Sequence, residues 1–585
     1  MSPASHDAPT APGASTLALL FAVAAPPLLA FNLSPSATLL NQLLAFFGWG
    51  LVLMGAGAPW GDALQRARWA LCALAGLGVG VLWSMARELP GTLGASALAT
   101  LAVSALVLAS AAGRPDDRAA HDVASALLVA GVLSALIGLL QVFAPAWIDG
   151  TWVARSGLPG RAVGNLRQPN HLSSLLVWAL VALVPLAREG RWFRWRLPAP
   201  VAAAVAVLLV WAVVLTASRT GVLGMVILAG WGLVDRRLPR RLRLALLLAP
   251  LAYGLAWLGM DLWAQRTAHA FGGTRMEGGG DISSSRFGIW ANAWALLAAQ
   301  PWQGVGFGEF NHAWTLAVLP GRPVAFFDHT HNLPLQLVVE LGWPLGGAVL
   351  LALLVALGVA ARRAWSVPGE GAGVRARAAW MMVLLIGVHS LLEYPLWYAY
   401  FLLPASWALG HALSAAPSAE LPEGPAEGDA EATLTGRAWA LTGAAVVAGS
   451  VFALNDYGRV VDVFTNGDGR STLQERIARG QGSVFFGHHA DYAAATVSDT
   501  PGRELNAVRR ASHALIDTRL LIAWIKALDE TGHRDQARYL AARLREFRNP
   551  DAADFLGACT AAPASAVPVQ CEPPSRPYAV GEFGR

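Results

Sequence analysis

The chain has 585 residues, of which 55% are hydrophobic and only 14% are charged, and its mean hydropathy is +0.45. This composition excludes a soluble enzyme of several domains and indicates a polytopic membrane protein. The net charge of +5 comes from arginines in short loops without a basic stripe of interleaved aromatic residues, which argues against nucleic acid as a partner.

Thirteen apolar runs are long enough to cross a bilayer, which requires about 17 to 25 residues. The first run lacks the charged start and the cleavage site of a signal peptide, so we expect it to be retained. The predicted fold class is all-α, a polytopic bundle of about 13 transmembrane helices. The runs lie near 15–31, 38–58, 69–86, 92–112, 122–144, 170–187, 199–217, 219–235, 242–260, 332–361, 378–394, 397–415 and 437–455.

Charge bias orients these runs. If every run crosses once, the arginine-rich loops all fall on one side, which the positive-inside rule assigns to the cytoplasm together with the N-terminus. The loop 149–169, the turn 218–221, the loop 261–331 and the segment 393–395 then lie on the outer side. We therefore expect the polar side chains that could take part in catalysis or binding to meet at one face of the membrane.

The predicted domain organisation follows from the same runs. It comprises a transmembrane core at 1–415 with a large outer loop at 261–331, an acidic and disordered cytoplasmic linker at 416–436, a last transmembrane helix at 437–455 and an outer helical tail at 456–585.

The tail contains one helical hairpin signal. Leu520 to Phe547 is predicted to form two amphipathic helices joined at Gly532, which resembles a single tetratricopeptide-type hairpin or an ordinary helical pair. Cys559 and Cys571 lie close in sequence on the outer side, where they form either a disulfide or two free thiols.

A histidine-containing stretch leads from the outer loop into an apolar helix. His329, His331 and Asn332 stand at the entrance, and Asn332, Gln336 and Glu340 share one face at i, i+4 and i+8. Glu340 would lie about 12 Å along the axis from Asn332, so it should face protein or a water-filled cavity and not lipid. The alternative is that the histidines are ordinary interfacial residues and Glu340 is a packing partner.

Several arginines are predicted on the outer side, where the positive-inside rule does not expect them, so their presence there needs an explanation. Arg161 and Arg167 flank glycines in one loop, Arg219 lies in a tight turn between two runs, and Arg286 begins a predicted interfacial helix. Guanidinium groups that converge near a bilayer surface can hold a lipid pyrophosphate without a metal. The alternatives are solvated loop charges, structural ion pairs and contacts with lipid head groups.

Two further segments add polar groups to the outer face. In the stretch from Gln168 to His171 a helix is expected to start, with Asn170 as its N-cap. The turn that contains Glu393 and Tyr394 offers an acid and a phenol near His331 if the helices pack together.

Five motifs in order resemble one known superfamily. They are Gly164 to His171, Ser218 to Gly221, Ser285 to Trp290, His329 to Asn332 with Glu340 to Gly342, and Leu392 to Tyr398. Together they are similar to the bacterial O-antigen ligase and polymerase superfamily, in particular to the protein O-oligosaccharyltransferases of the PglL type. The resemblance covers about residues 120 to 410, and the outer tail also resembles that branch.

This resemblance implies a glycosyltransferase of the GT-C type that needs no metal or other cofactor. It would move a preassembled glycan from undecaprenyl-pyrophosphate to an acceptor at the periplasmic face of the bacterial inner membrane. Matched by position, the implied site residues are His331 as the essential histidine, Arg219 and Arg286 with the less secure Arg161 at the pyrophosphate, Gln168, and Tyr394 in competition with Tyr398. His329, Asn332, Glu340, Glu393 and Asn170 are expected to support them.

The acceptor stays open at this stage. The resemblance allows a Ser or Thr hydroxyl of a pilin-like or other periplasmic protein, a sugar of lipid A core, or another lipid-linked repeat, and the large tail favours a protein. A transporter of lipid-linked glycans is the competing class, but it would place charged residues at mid-depth on facing helices, where this sequence has almost none.

Overall fold

The computed structural model describes residues 13–267, 269–272, 282–319, 321–368, 371–416, 429–465, 469–561 and 567–583. Within these ranges the chain is mainly α-helical, with one small antiparallel hairpin of β1 (Arg191–Trp192) and β2 (Trp195–Arg196). The all-α prediction is therefore confirmed in its main point.

The helices of the apolar part follow the predicted order. They are α1 (Ala14–Leu28), α2 (Leu39–Met54), α3 (Trp60–Arg87), α4 (Gly91–Ala112), α5 (Asp117–Phe143), α6 (Pro169–Glu189), α7 (Ala199–Thr216), α8 (Arg219–Val234), α9 (Arg240–Leu247), α10 (Ala249–Thr267), α11 (Ile282–Ala299), α12 (Phe310–Leu316), α13 (Leu333–Ser366), α14 (Ala372–His389), α15 (Ala399–Ser414) and α16 (Asp429–Phe464). The tail adds α17 (Leu473–Gln481), α18 (Gly487–Val497), α19 (Leu505–Ser512), α20 (Thr518–Glu530), α21 (Arg534–Phe547) and α22 (Ala553–Ala561).

Each predicted apolar run coincides with a helix, or with the pair α9 and α10, which bends by 43°. Among the described residues, 8 helices are long and apolar enough to cross a membrane, or up to 9 with the bent pair. Helices α1, α2 and α8 are apolar but shorter. The chain is thus a multi-pass membrane protein, and the figure of thirteen crossings stays a prediction.

Helix α6 lies at the centre of the bundle. Its residues from Leu175 to Leu186 are apolar on every face, and nearly all of those from Pro169 to Leu186 are buried. It packs against α5, α7, α8 and α14. Because α6 is enclosed on all sides, its N-terminal end has a fixed position in the bundle.

The last transmembrane helix begins earlier than predicted. Helix α16 starts at Asp429, so the part of the expected linker from 429 to 436 is helical, and residues 417–428 lie outside the described residues. The sequence from Asp429 to Gly436 contains alanines and acidic residues, which suit a helix N-terminus. The outer loop 261–331 likewise contains the end of α10 together with α11 and α12.

The tail hairpin is confirmed, because α20 and α21 pair and are joined by a turn at Gly532, where φ is +84°. Alanines Ala527, Ala537 and Ala541 are fully buried between these helices. Cys559 and Cys571 form a disulfide, as one of the two alternatives predicted.

Helix α13 is broken at Gly342, where the loop from Gln300 to Gly308 packs against it. Gly342 has φ +73°, and the loop preceding α12 pairs with the break, with Val305 N donating to Val339 O at 2.9 Å and Trp343 N donating to Pro301 O at 2.8 Å. A Cβ on Gly342 would lie 2.4 Å from Trp302 O. The loop from Gln300 to Gly308 is therefore a structural element of the break in α13.

Gly342→Ala is expected to destabilise the protein by about 1–3 kcal/mol, because the new Cβ meets the Trp302 carbonyl and the backbone stays in the left-handed region. The midpoint of thermal unfolding in detergent micelles measures this loss. Gly347→Ala is the matched control, since the same helix leaves its Cβ without a neighbour within 4 Å. Equal midpoints for both variants would contradict the role of the break.

Candidate active site

The Glu393 carboxylate is the centre of a polar cluster at the starts of α6 and α13. Its Oε1 accepts hydrogen bonds from Arg286 Nη2 at 3.1 Å and from Asn170 Nδ2 at 3.3 Å. Its Oε2 lies 3.0 Å from His331 Nδ1 and 4.0 Å from His329 Nε2. Four residues that were predicted from three separate motifs therefore meet around one side chain.

Glu393 is kept ionised by these partners. Burial alone would raise its pKa, but the neighbouring imidazoles of His329 and His331 and the positive charge of Arg286 hold the pKa well below its usual range. The cluster therefore contains a permanent buried anion that is matched by a permanent cation.

The two histidines form a chain that ends on a second carboxylate. His331 Nδ1 lies 2.9 Å from His329 Nε2, and His329 Nδ1 is hydrogen-bonded to Asp328. The assignment that satisfies every contact has His329 donating from Nδ1 to Asp328 and His331 donating from Nδ1 to His329 Nε2 and Glu393. It leaves the Nε2 lone pair of His331 able to accept a proton, since no described residue bonds to that atom.

Burial lowers the pKa of His329, but the neighbouring carboxylates of Asp328 and Glu393 outweigh it, and the pKa is raised above its ordinary value. The Asp328 carboxylate was not among the predicted site residues. Its position directly before His329 is the sequence signal that would have identified it.

Three helices begin at this site in the same way. In each, a residue with left-handed φ precedes an N-cap residue whose side chain accepts a hydrogen bond from the first helical turn. The pairs are Arg167 (φ +57°) with Gln168 before α6, Ala217 (φ +46°) with Ser218 before α8, and His331 (φ +55°) with Asn332 before α13. Such conformations cost free energy in residues other than glycine and concentrate at functional sites.

These helix starts are tied together. Ser218 donates its hydroxyl to Asn170 Oδ1 at 2.6 Å, and Asn170 in turn donates to Glu393. The N-terminal ends of α6, α8 and α13 therefore converge, and each carries partial positive charge. Their arrangement favours an anion at this position.

The structure corrects one expectation about α6. Asn170 was expected to be the N-cap, but Gln168 is the N-cap, and its side chain accepts from His171 N at 2.8 Å. Pro169 explains the shift, because the residue before a proline is held in an extended conformation and the proline itself takes the first helical position. Asn170 is thereby released to contact Glu393, whereas no contact of Gln168 with Glu393 is seen among the described residues.

The predicted arginines occupy different positions around the cluster. Arg286 contacts Glu393, and Arg219 is exposed in the first turn of α8. Arg161 donates to the carbonyls of Thr216 at 3.0 Å and Ala217 at 3.2 Å, which close the C-terminal end of α7. Arg167 is turned away, because its guanidinium donates to Ala30, Ala37 and Asn165 carbonyls.

The tyrosines differ in what they touch. The ring of Tyr394 lies 3.6 Å from the ring of His329, whereas the ring of Tyr398 lies 4.6 Å from that of His171. Burial raises the pKa of both phenols, so both remain protonated and able to donate. Contact with the histidine pair favours Tyr394 as the phenol of the site.

Gln336 and Glu340 on the polar face of α13 support the backbone between His329 and His331. Glu340 is buried in protein as expected and accepts from Gln336 Nε2 at 2.9 Å, while Gln336 Oε1 accepts from Thr330 N at 2.8 Å. Trp290 of α11 donates to the Thr330 carbonyl at 2.9 Å. The residue between the two histidines is therefore held at both of its backbone polar groups.

Among the described residues, two groups of side chains offer ligand atoms that lie within 4.8 Å of one another. In the first, formed by His329, His331 and Glu393, the fixed positive charge of Arg286 on the same carboxylate opposes a cation. In the second, formed by Glu309, His312 and His513, the two imidazole rings are stacked within 6° of parallel. Their in-plane lone pairs would converge on one ion only after a ring has turned.

Comparison with known families agrees with the five motifs. Residues 204–350 match a family described as O-Antigen ligase, and residues 162–186 match one described as Protein glycosylation ligase. Residues 377–554 match a family described as Virulence factor membrane-bound polymerase, C-terminal.

Two curated relatives from Acinetobacter baylyi (strain ATCC 33305 / BD413 / ADP1) are also similar. One is named General O-oligosaccharyltransferase and is 28% identical over 309 residues, which is 48% of this chain and 49% of the relative. The other is named ComP-specific O-oligosaccharyltransferase and is 24% identical over 304 residues, 51% of this chain and 52% of the relative. The chain spans about half the length of the curated relatives it matches.

Glu393→Gln is expected to lower the pKa of His329, because one of the two carboxylates that raise it is lost. In the parent protein, protonated His329 stabilises the fold; this contribution is complete below its ordinary pKa of 6.5 and is lost as the pH rises through the higher folded value. Titration of ¹⁵N-histidine resonances measures the pKa. Glu189→Gln, which removes a carboxylate beside His121 at the other end of α6, is the control, and identical His329 titrations in both variants would refute the coupling.

Proposed function

The matches make this chain a relative of the O-antigen ligases and of the PglL-type protein glycosylation ligases, and we propose that it transfers a preassembled glycan from undecaprenyl-pyrophosphate to a protein hydroxyl. The observation that carries the proposal is the meeting of Arg286, His331 and Glu393 at one outer cluster. It brings a proton acceptor and a phosphate-binding cation within reach of the same ligand.

His331 is the proposed general base. A carboxylate that accepts from Nδ1 fixes the tautomer and stabilises the imidazolium that forms when Nε2 takes a proton from the acceptor hydroxyl. Glu393 supplies this carboxylate, and Asn332 fixes the backbone that follows His331 by capping α13. The acceptor oxygen then attacks the anomeric carbon opposite the pyrophosphate, so the configuration inverts.

The pyrophosphate leaves as the bond from the anomeric carbon to oxygen breaks. Negative charge grows on the phosphate in this step, and fixed positive groups stabilise it more in the transition state than in the ground state. We assign this role to Arg219 and Arg286 at the converging helix starts. Arg161 supports them by holding the turn that precedes Arg219. The donor already carries its leaving group, so the mechanism is proposed to need no metal.

Tyr394 and Gln168 complete the proposed site. A protonated phenol beside His329 can donate to a phosphate or sugar oxygen, and this is the role we assign to Tyr394. Gln168 acts through the α6 helix start, which it caps and from which Asn170 reaches Glu393.

A Ser or Thr hydroxyl of a periplasmic, pilin-like protein is the proposed acceptor. The names of both curated relatives support transfer to protein. The second candidate is transfer to lipid A core or to another lipid-linked repeat, which the O-antigen ligase and polymerase matches favour. In either case we place the chain in the bacterial inner membrane, with the Glu393 cluster at the periplasmic face, because the arginine-rich loops lie at the opposite end of the helices.

His331→Ala is expected to lower glycan transfer by about 100-fold to 10,000-fold, because the proton acceptor is lost. Purified protein in detergent, a lipid-pyrophosphate glycan and a pilin-like acceptor are incubated, and glycosylated acceptor is quantified by mass spectrometry. His533→Ala, an exposed histidine in the tail hairpin, is the control. Near-normal transfer by the His331 variant would refute the assignment, and replacement of the pilin by lipid A core distinguishes the two acceptors.

Arg219→Gln is expected to lower kcat/KM for the lipid-linked donor about 10-fold to 100-fold, because a charge-assisted hydrogen bond to phosphate is worth roughly 1.5–3 kcal/mol. Initial rates at varied donor concentration measure this change. Arg68→Gln, at the cytoplasmic end of α3, is the matched control. An unchanged kcat/KM in the Arg219 variant would exclude this arginine from the donor site.

A further inference from the structure

Helix α12 and the loop after it connect the tail with the histidine pair, His329 and His331. Glu309, which precedes α12, accepts from His513 Nδ1 of the tail at both carboxylate oxygens, at 2.8 and 2.9 Å. The ring of His513 also stacks on that of His312, with the ring centroids 4.6 Å apart. The tail is therefore fastened to the N-terminal end of α12.

Asn311 bridges the tail and the loop directly. Its Oδ1 accepts from Ile516 N of the tail at 2.7 Å, and its Nδ2 donates to the Phe327 carbonyl at 3.1 Å. Phe327 stands two residues before His329, and its ring lies 5.9 Å from that of His331. One buried amide thus joins the tail to the backbone that leads into the histidine pair.

Arg322 fixes the same loop from the other side. Its side chain is 1% exposed, it donates to the Trp314 carbonyl at 2.6 Å, and its Nε lies 3.4 Å from Glu546 Oε2 in the tail. The guanidinium also lies over the ring of Phe547 at 4.6 Å. A buried cation of this kind holds its position only while its partners are present.

Phe547 at the end of α21 is a tail residue that reaches the histidine-bearing loop. Its ring stacks on Phe326 at 3.9 Å, and it belongs to a buried apolar cluster that includes Leu335 and Val338 of α13. The tail therefore contacts the segment before the histidine pair through Phe326, and it shares an apolar cluster with the first turns of α13 that follow the pair.

We infer that the tail from α19 to α21 is a structural part of the active site, and that Phe547, Arg322 and Asn311 are positioning residues for His329 and His331. This inference rests on the proposed function for its effect on turnover. A tail that only docked a protein acceptor would affect transfer to that acceptor alone. A tail that positions the histidine pair affects transfer to every acceptor.

Phe547→Ala in the full-length protein tests the inference, with hydrogen exchange of the backbone amides of residues 326–332 as the first readout. We expect exchange to accelerate at least tenfold without any substrate present. Phe555→Ala is the matched control, since Phe555 packs on the tail core and shows no contact with the loop among the described residues. Phe547→Leu, which keeps an apolar side chain, should give a smaller acceleration of exchange. It replaces Phe547→Ala in the test if the alanine variant does not fold.

Turnover is the second readout. We expect kcat to fall about 10-fold to 100-fold in Phe547→Ala, as a misplaced catalytic group predicts, with the acceptor KM unchanged and with the same factor for a pilin-like protein and for lipid A core. Unchanged exchange in the loop, or a raised KM for the protein acceptor alone, would overturn the inference. If the parent protein transfers no glycan to either acceptor, the proposed function fails, and the exchange measurement still decides the positioning role.

Discussion

The ionised carboxylate of Glu393 is the constraint on which the candidate active site depends. A buried anion is costly unless donors surround it, and here each donor comes from a different part of the chain. Asn170 lies at the start of α6, Arg286 lies on α11, and His331 lies in the loop before α13. The helices must therefore pack in one arrangement for the carboxylate to be satisfied, and that arrangement assembles the site.

Much of this could be predicted from the sequence. Run lengths and arginine bias placed the segments of His331, Arg219, Arg286 and Glu393 at one face, and the structure brings them to one cluster or to the helix starts around it. The turn before Arg219 was also predicted, because an apolar stretch about twice as long as a bilayer requires must reverse.

Other features of the structure could not be predicted from residue types and their spacing along the chain. The shift of the α6 cap from Asn170 to Gln168 depends on the restriction that Pro169 imposes, a rule that the cap preference alone does not contain. The contacts of Glu309 with His513 and of Asn311 with Ile516 join residues about 200 positions apart. Periodicity and motif spacing describe neighbours along the chain, so they carry no information about such pairs.

The convergence of three helix starts has a consequence for the catalytic cycle. Once the glycan has left, the lipid diphosphate carries more negative charge than the donor did, and the partial charges of α6, α8 and α13 are fixed in the backbone. If the donor is the proposed lipid diphosphate, the spent carrier is retained more firmly than the fresh one. The same backbone charges that assist departure of the pyrophosphate then slow the escape of the spent carrier into the bilayer.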